Sequence, residues 1–337
     1  MDMAKVKVFR GGFVESEHNT VFVVVKDGRV IWSAGDAGRD YFMRSSNKSL
    51  QALPLILTGA ADTFGFNIEE IAQACSSHDG EDMHIKNIKS MMAKCGLDES
   101  VLQCGPSWGL QTIRDKNFAI SSGEKEVLLN NCSAKHVSML ATCLVKKWPL
   151  ENYLDPEHPV QQMILDIISQ MAEYPRDKIG IGFDYCGAPT HYLPLTNQAI
   201  SFARLATPDS LDEPLRSACR RIIAATTEYP YLVGGTTQLT SVLCANGKGR
   251  FIDKGGGEAM FLVGVLGDNM GLGFKCLDGN EPRGLAPVVI RVIEKLGLLD
   301  AGAMKNLESY YDLKIKDSND CVIGHVEVEL PPFLNKD

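Results

Sequence analysis

Ser45-Ser46-Asn47-Lys48 is the first stretch of this chain whose residue types and spacing could do chemistry. It is a Ser-x-x-Lys pattern at the entry to an apolar helix. In a first helical turn, residues i and i+3 share a face, so the lysine amine can reach the serine hydroxyl. Partial burial and nearby cations favour the neutral amine, which can take the serine proton and leave a nucleophilic oxygen. The pattern alone is common: Ser122-Gly123-Glu124-Lys125 repeats it in a polar stretch with no apolar helix behind it. An ordinary N-capped helix with a surface lysine is the plain alternative.

Two further pieces give the pattern a setting. Cys75-Ser76-Ser77-His78-Asp79-Gly80-Glu81 ends one helical pattern and gathers Ser, His, Asp and Glu in a Gly-bearing turn, which helix-end capping would also explain. Asp253-Lys254-Gly255-Gly256-Gly257-Glu258 follows a strand-like segment. Three glycines let a backbone approach a ligand closely, and a lysine at a strand end can point into a cleft. A glycine-rich hairpin with an exposed lysine is the alternative. The order is the stronger signal: Ser-x-x-Lys early, a serine-containing turn next and Lys-Gly-Gly late is the arrangement of penicillin-recognising enzymes.

A fourth constellation joins Asn131-Cys132-Ser133-Ala134-Lys135-His136 to Asp184-Tyr185-Cys186-Gly187-Ala188-Pro189. Two thiols, with a carboxylate two residues from one of them, could bind a soft or borderline metal such as zinc. Lysine ligates only when deprotonated, and buried structural cysteines are the alternative.

The elements that must position these residues read as strands at both ends and helices between. Val6–Phe9 and Thr20–Lys26 suit strands, the second turning through Asp27-Gly28 into Arg29–Ser33. Leu50, Leu53, Leu57 and Ala61 recur at helical spacing, and Asn67 reads as the N-cap of a helix containing Ile68, Ile71 and Ala72. Further helices are expected from Asp82 to Lys94 (stopped by Gly96), Ala134 to Trp148, His158 to Ala172, Asn197 to Ala206 and Glu213 to Thr226, with a short strand at Ile179–Phe183. Thr240 to Ala245, Gly249 to Asp253, Met260 to Leu266 and Gly271 to Leu277 read as strands, followed by a helix from Leu285 to Leu296. The expected fold is therefore α+β: one antiparallel sheet built from both termini, with a helical region inserted. A single catalytic unit over 1–337 is expected, its sheet portion about 1–45 and 235–337 and its helical portion about 46–234.

The 337 residues are 45% hydrophobic, enough for a sizeable core, and carry a net charge of −8. No basic cluster exceeds pairs such as Lys146–Lys147, which argues against nucleic-acid and anionic-membrane partners. Nothing resembles a signal peptide or a membrane span, and ten cysteines are scattered without CxxC pairs. Reduced thiols and a cytoplasmic location are expected.

From about Ser16 to Leu298 the chain resembles the Rhizobium-type (class 3) L-asparaginases, relatives of the serine β-lactamase fold. The motifs that carry the likeness are Arg44-Ser-Ser-Asn-Lys48, Ser77-His-Asp-Gly-Glu81, Cys104-Gly-Pro106, Asn130-Asn-Cys-Ser-Ala-Lys-His136, His158-Pro-Val-Gln161, Asp184-Tyr-Cys-Gly-Ala-Pro-Thr190 and Lys254-Gly-Gly-Gly-Glu258. The resemblance implies a serine β-lactamase-like fold and two Ser–Lys tandems, Ser45 with Lys48 and Ser77 with Lys254. It also implies a zinc site on Cys132, Lys135, Asp184 and Cys186, and a homodimer. The chain departs from the family pattern at Ser107, Ala134, Gln238 and Thr240, where His, Gly, Arg and Cys are usual.

Hydrolysis of the side-chain amide of L-asparagine to aspartate and ammonia is the activity this implies. Ser45 attacks, Lys48 takes its proton, and Ser77, tuned by Lys254, relays a proton to the departing ammonia. Backbone N–H groups at Ser45 and beside the glycines are oxyanion donors. Arg44, His136, Gly255 and Gly256 are the expected substrate-binding residues. Another Ser–Lys hydrolase, or a retired member that only binds a small amino acid, are the alternatives.

Overall fold

A computed structural model describes residues 2–108 and 125–332. Ser122 of the second Ser-x-x-Lys pattern lies outside the described residues. The chain divides into two compact units: Met1–Ser46 with Leu193–Thr207 and Leu243–Asp337, and Asn47–Tyr192 with Pro208–Val242.

The first unit is built on an antiparallel sheet drawn from both chain termini. Its strands are β1 (Ala4–Arg10), β2 (Phe13–Lys26), β3 (Arg29–Ala34), and, after β4 (Asp40–Phe42) and the β5 (Gly180–Phe183) and β6 (Pro189–Pro194) pair described below, β7 (Phe251–Gly256), β8 (Met260–Val265), β9 (Met270–Cys276), β10 (Lys314–Lys316) and β11 (Val322–Glu329). The order across the sheet is β10-β11-β1-β2-β9-β8-β7. β2 is long enough to be shared: Phe13 to Thr20 pair with β1, and Phe22 to Lys26 pair with β3. Asp27 and Gly28 turn that second hairpin with φ of 51° and 72°, a conformation both residue types tolerate.

Val21 to Val25 are all buried because both faces of β2 are covered. Val21, Val23 and Val25 pack with Leu195, Ala199 and Ala203 of the helix Leu195–Ala206, while Phe22 meets the ring of Phe274 on the other face. That helix lies unusually close to the sheet. A Cβ on Gly271 would stand 1.9 Å from the Ala199 carbonyl oxygen, and one on Gly264 would stand 2.3 Å from that of Phe202, so only glycine fits.

The second unit is mainly helical. Its central helix, Ser133–Lys146, is buried from Ser133 to Cys143 and packs against the helices Leu53–Leu57, Ile68–Ala74, Asp82–Cys95 and Pro159–Ala172. Local signals set the helix ends. Asn67 and Glu70 form a reciprocal capping box, and Gly96 ends Asp82–Cys95 at φ 65°. β5 and β6 form an antiparallel hairpin, Gly180 opposite Tyr192 and Phe183 opposite Pro189.

Among the expected elements, Thr240 to Ala245 is corrected: it lies in the helix Leu239–Gly247, not in a strand. Leu239 and Leu243, four apart, are both buried, and the Gln238 carbonyl accepts from the N–H groups of Ser241 and Val242 to start the turn. A short apolar run fits either element, and the i, i+4 pair decides it. No helix among the described residues is long and apolar enough to cross a membrane.

Candidate active site

In the sheet unit, the chain leaves β4 through a single 3-10 turn, Arg44–Asn47, entered by Arg44 at φ 52°. Left-handed backbone in a residue with a long side chain costs roughly 1–2 kcal/mol, so the turn is held by its surroundings. Ser46 is buried, and its hydroxyl donates to the Met43 carbonyl at 2.6 Å. Ser45 is part-exposed.

The end of β7 presses on this turn. A Cβ on Gly256 would stand 2.9 Å from both the Met43 carbonyl oxygen and the Ser46 amide nitrogen, and 3.3 Å from the Ser45 nitrogen. A Cβ on Gly257 would meet the Arg44 guanidinium at 3.1 Å. Gly255 differs: its nearest neighbour is the Phe261 ring at an ordinary 3.5 Å. Close approach therefore explains two of the three glycines. Lys254, opposite Leu262 in the ladder, is fully buried, and its amine donates to the Gly255 carbonyl at 2.9 Å.

In the helical unit, Lys48 opens the helix Lys48–Gln51 directly after the 3-10 turn and is fully buried. Its amine donates to the carbonyls of Ser76 (2.7 Å) and Asn131 (3.2 Å). Ser77 is buried in the segment after the helix Ile68–Ala74. That segment is stitched to the chain before Leu239: the N–H groups of Ser77 and Asp79 donate to the carbonyls of Val233 and Gly234, each at 2.8 Å. The Gln238 amide donates to the Ser77 carbonyl and to Asp79 Oδ1, both at 2.7 Å. Gln238, one of the departures, thus holds the Ser77 turn.

His78 is committed elsewhere. Its Nδ1 accepts from the Gly80 N–H, and its Nε2 meets Ser133 Oγ at 2.9 Å while that hydroxyl donates to the Leu128 carbonyl. This fixes a neutral ring with its proton on Nε2. Burial, with the charges of His84 and Lys48, pushes its pKa well below the usual histidine value.

The expected metal ligands gather within the same unit. Cys132 precedes the central helix, Lys135 lies in its first turn, and Cys186 sits in the turn between β5 and β6. Lys135 Nζ is 3.3 Å from Cys186 Sγ. A hydrogen bond from Cys132 lowers the Cys186 pKa to about 5 against the opposing effect of burial, with the Lys135 and Lys48 charges assisting. The same hydrogen bond, with burial, raises Cys132 to about 12. Burial opposes the charge on Lys135, but Cys186, Cys132 and Asp184 outweigh it and raise its pKa. Among the described residues no three His, Cys, Asp or Glu side chains are grouped to hold a metal. The donor set is instead two thiols and an amine, with Asp184 acting on that amine through its charge. Next to them, His136 Nδ1 lies 2.7 Å from the Tyr153 hydroxyl, which accepts from the Gln103 N–H, and His136 Nε2 is buried with no hydrogen-bond partner.

Of the expected substrate-binding residues, Arg44, Gly255 and Gly256 belong to the sheet unit and His136 to the helical one. Gln238, Tyr153 and the carbonyls that hold Lys48 were not foreseen. Gln238 alone had a signal, as a departure beside a Gly-Gly pair.

No curated protein sequence matches the chain. Mglu in its native form is 16% identical, with a TM-score of 0.40, over 85% of this chain and 67% of that one. Its L-glutamate binding form in the presence of 4.3M NaCl is 17% identical, with a TM-score of 0.40, over 85% of this chain and 63% of that one. The chain thus spans about two thirds of these structures, and likeness at this level bears on neither activity nor substrate. The model of the L-asparaginase II family, in contrast, matches residues 6–328, nearly the whole chain. The chain belongs to the L-asparaginase II family and is an asparaginase-like amidohydrolase.

Proposed function

We propose that this enzyme hydrolyses the side-chain amide of L-asparagine through an acyl-enzyme on Ser45. The observation that carries the reading is the setting of Lys48. A neutral lysine amine has two hydrogens and one lone pair. The carbonyls of Ser76 and Asn131 take the two hydrogens, which leaves the lone pair as the remaining tetrahedral position. Ser45, three residues earlier on continuous helical backbone, is the proton donor that the lone pair would serve.

In this reading Ser45 Oγ attacks the amide carbon and its proton passes to Lys48. The oxyanion accepts from backbone N–H groups at the Ser45 turn and the end of β7; one such donor is typically worth about 100-fold or more in rate. The carbon–nitrogen bond then breaks, and Ser77, with Lys254, passes a proton to the leaving ammonia. Water then attacks the ester; as the ester bond breaks, the proton held on Lys48 returns to Ser45 and the proton released by the water restores Ser77, giving aspartate. Arg44 would hold the substrate carboxylate. His136, whose buried Nε2 has no hydrogen-bond partner, would orient substrate.

Zinc is part of the proposal. Cys132 and Cys186 supply two converging thiols that would hold it; Lys135, whose neighbours favour its charged form, would have to give up its proton to join them, with Asp184 as the fourth ligand. When bound, zinc supplies a fixed positive charge that orders the site. A cytoplasmic homodimer completes the reading. Ammonia release from L-asparagine, L-glutamine and related small carboxamides is the test. Turnover of L-asparagine is expected. Saturable binding of L-asparagine with no ammonia would mean that the chain is a retired member.

A further inference from the structure

Two consecutive residues with side chains, Glu258 (φ 60°) and Ala259 (φ 53°), stand in the left-handed region at the β7–β8 turn. Turns of this conformation normally carry Gly, Asn or Asp there, because a Cβ crowds the following carbonyl. The glycines just before them, Gly255 to Gly257, are not at positive φ. The turn's own residues therefore do not favour its conformation, and something outside it must hold it.

Two groups on β9 do so. The Cys276 N–H donates to the Ala259 carbonyl at 3.1 Å, and the Lys275 amine donates to the Glu258 carbonyl. The turn in turn carries Gly256 and Gly257, which lie against the Ser45–Ser46 amides and the Arg44 guanidinium. Lys275 is part-buried. Burial lowers its pKa and Arg44 adds to this, while Glu258 opposes both, so three charged groups act on one another at this corner.

We propose that Lys275 is a positioning residue: by clamping the Glu258 carbonyl it holds the left-handed turn, which keeps β7 seated on the Ser45 turn and on Arg44. The proposal rests on the reading of Ser45 as nucleophile. Water can partly replace an exposed hydrogen bond, so the expected loss is moderate.

The test measures ammonia release from L-asparagine by the full-length enzyme. Lys275→Met should lower kcat/KM about tenfold, with kcat down and KM up, because misplacement of the oxyanion donors and of Arg44 affects both. Ala259→Gly supplies a residue that adopts positive φ unaided. Added to Lys275→Met, it should return most of the lost kcat/KM, which a merely stabilising role for Lys275 would not produce. If Lys275→Met does not fold, Lys275→Gln carries the same expectation. Wild-type kcat/KM in the Lys275 variant, or a loss that Ala259→Gly does not restore, overturns the clamp. Ser45→Ala is measured beside them: turnover there overturns the underlying reading instead.

Discussion

Gly256 lies against Ser46 so closely that a methyl group on it would stand 2.9 Å from the Ser46 amide nitrogen. Both chain segments are backbone at this contact, so neither can swing aside as a side-chain tip would. The end of β7 and the turn that presents Ser45 are therefore fixed relative to each other.

Gly256→Ala should move that turn. We expect a loss of stability of about 1–3 kcal/mol from overpacking and a fall in kcat of about 100-fold if an oxyanion donor is displaced. Gly255→Ala meets only the Phe261 ring at 3.5 Å and should stay close to wild type in stability. Urea melts and ammonia-release rates on the pair check this. Equal losses of stability at the two positions would contradict it.

Stability should fall as pH drops below neutrality, for a reason that can be signed. Burial lowers the pKa of His78, His84 and His191, the last to about 3. In the unfolded chain each titrates near ~6.5. Above that value both states are neutral and nothing changes. Below it the unfolded chain binds protons that the folded one refuses, and stability falls by up to about 1.4 kcal/mol per pH unit for each histidine. Urea melts between pH 7 and 5 read the slope before carboxylates dominate. His191→Gln should remove about one histidine's share, and an unchanged slope would contradict this account.

Metal content gives an independent reading of the thiols. Protein purified without chelator should carry about one zinc per chain, and Cys186→Ser should carry none. Elemental analysis and thermal melting with and without chelator are the measurements. A chelator-insensitive melting temperature in zinc-free protein would return Cys132 and Cys186 to structural roles.

Much of the frame was legible because it rests on local chemistry. Asn67 caps its helix with Glu70, Gly96 ends the next, and Asp27-Gly28 turns a hairpin, each by a preference that one residue carries. β11, Val322–Glu329, alternates polar and apolar residues from His325 to Glu329 and was open to a period-two reading there. Thr240 to Ala245 was not, because its run is too short to separate strand from helix. The residue types of the candidate site stand in the sequence, and their contacts do not. Lys48 is held by the carbonyls of Ser76 and Asn131, groups that every residue carries, so no sequence pattern marks them. The glycines of β7 signal close approach, yet the left-handed backbone falls on Glu258 and Ala259, where long-range hydrogen bonds override local preference.

The central claim is that Ser45 and Lys48 act as one unit. The direct measurement is the rate of ammonia release from L-asparagine by folded Ser45→Ala, Lys48→Met and the double variant. Each single substitution should abolish turnover, and the double should be little worse than either, because residues that act together lose their effect together. Near-wild-type release by folded Ser45→Ala, or losses that multiply in the double variant, would contradict the account.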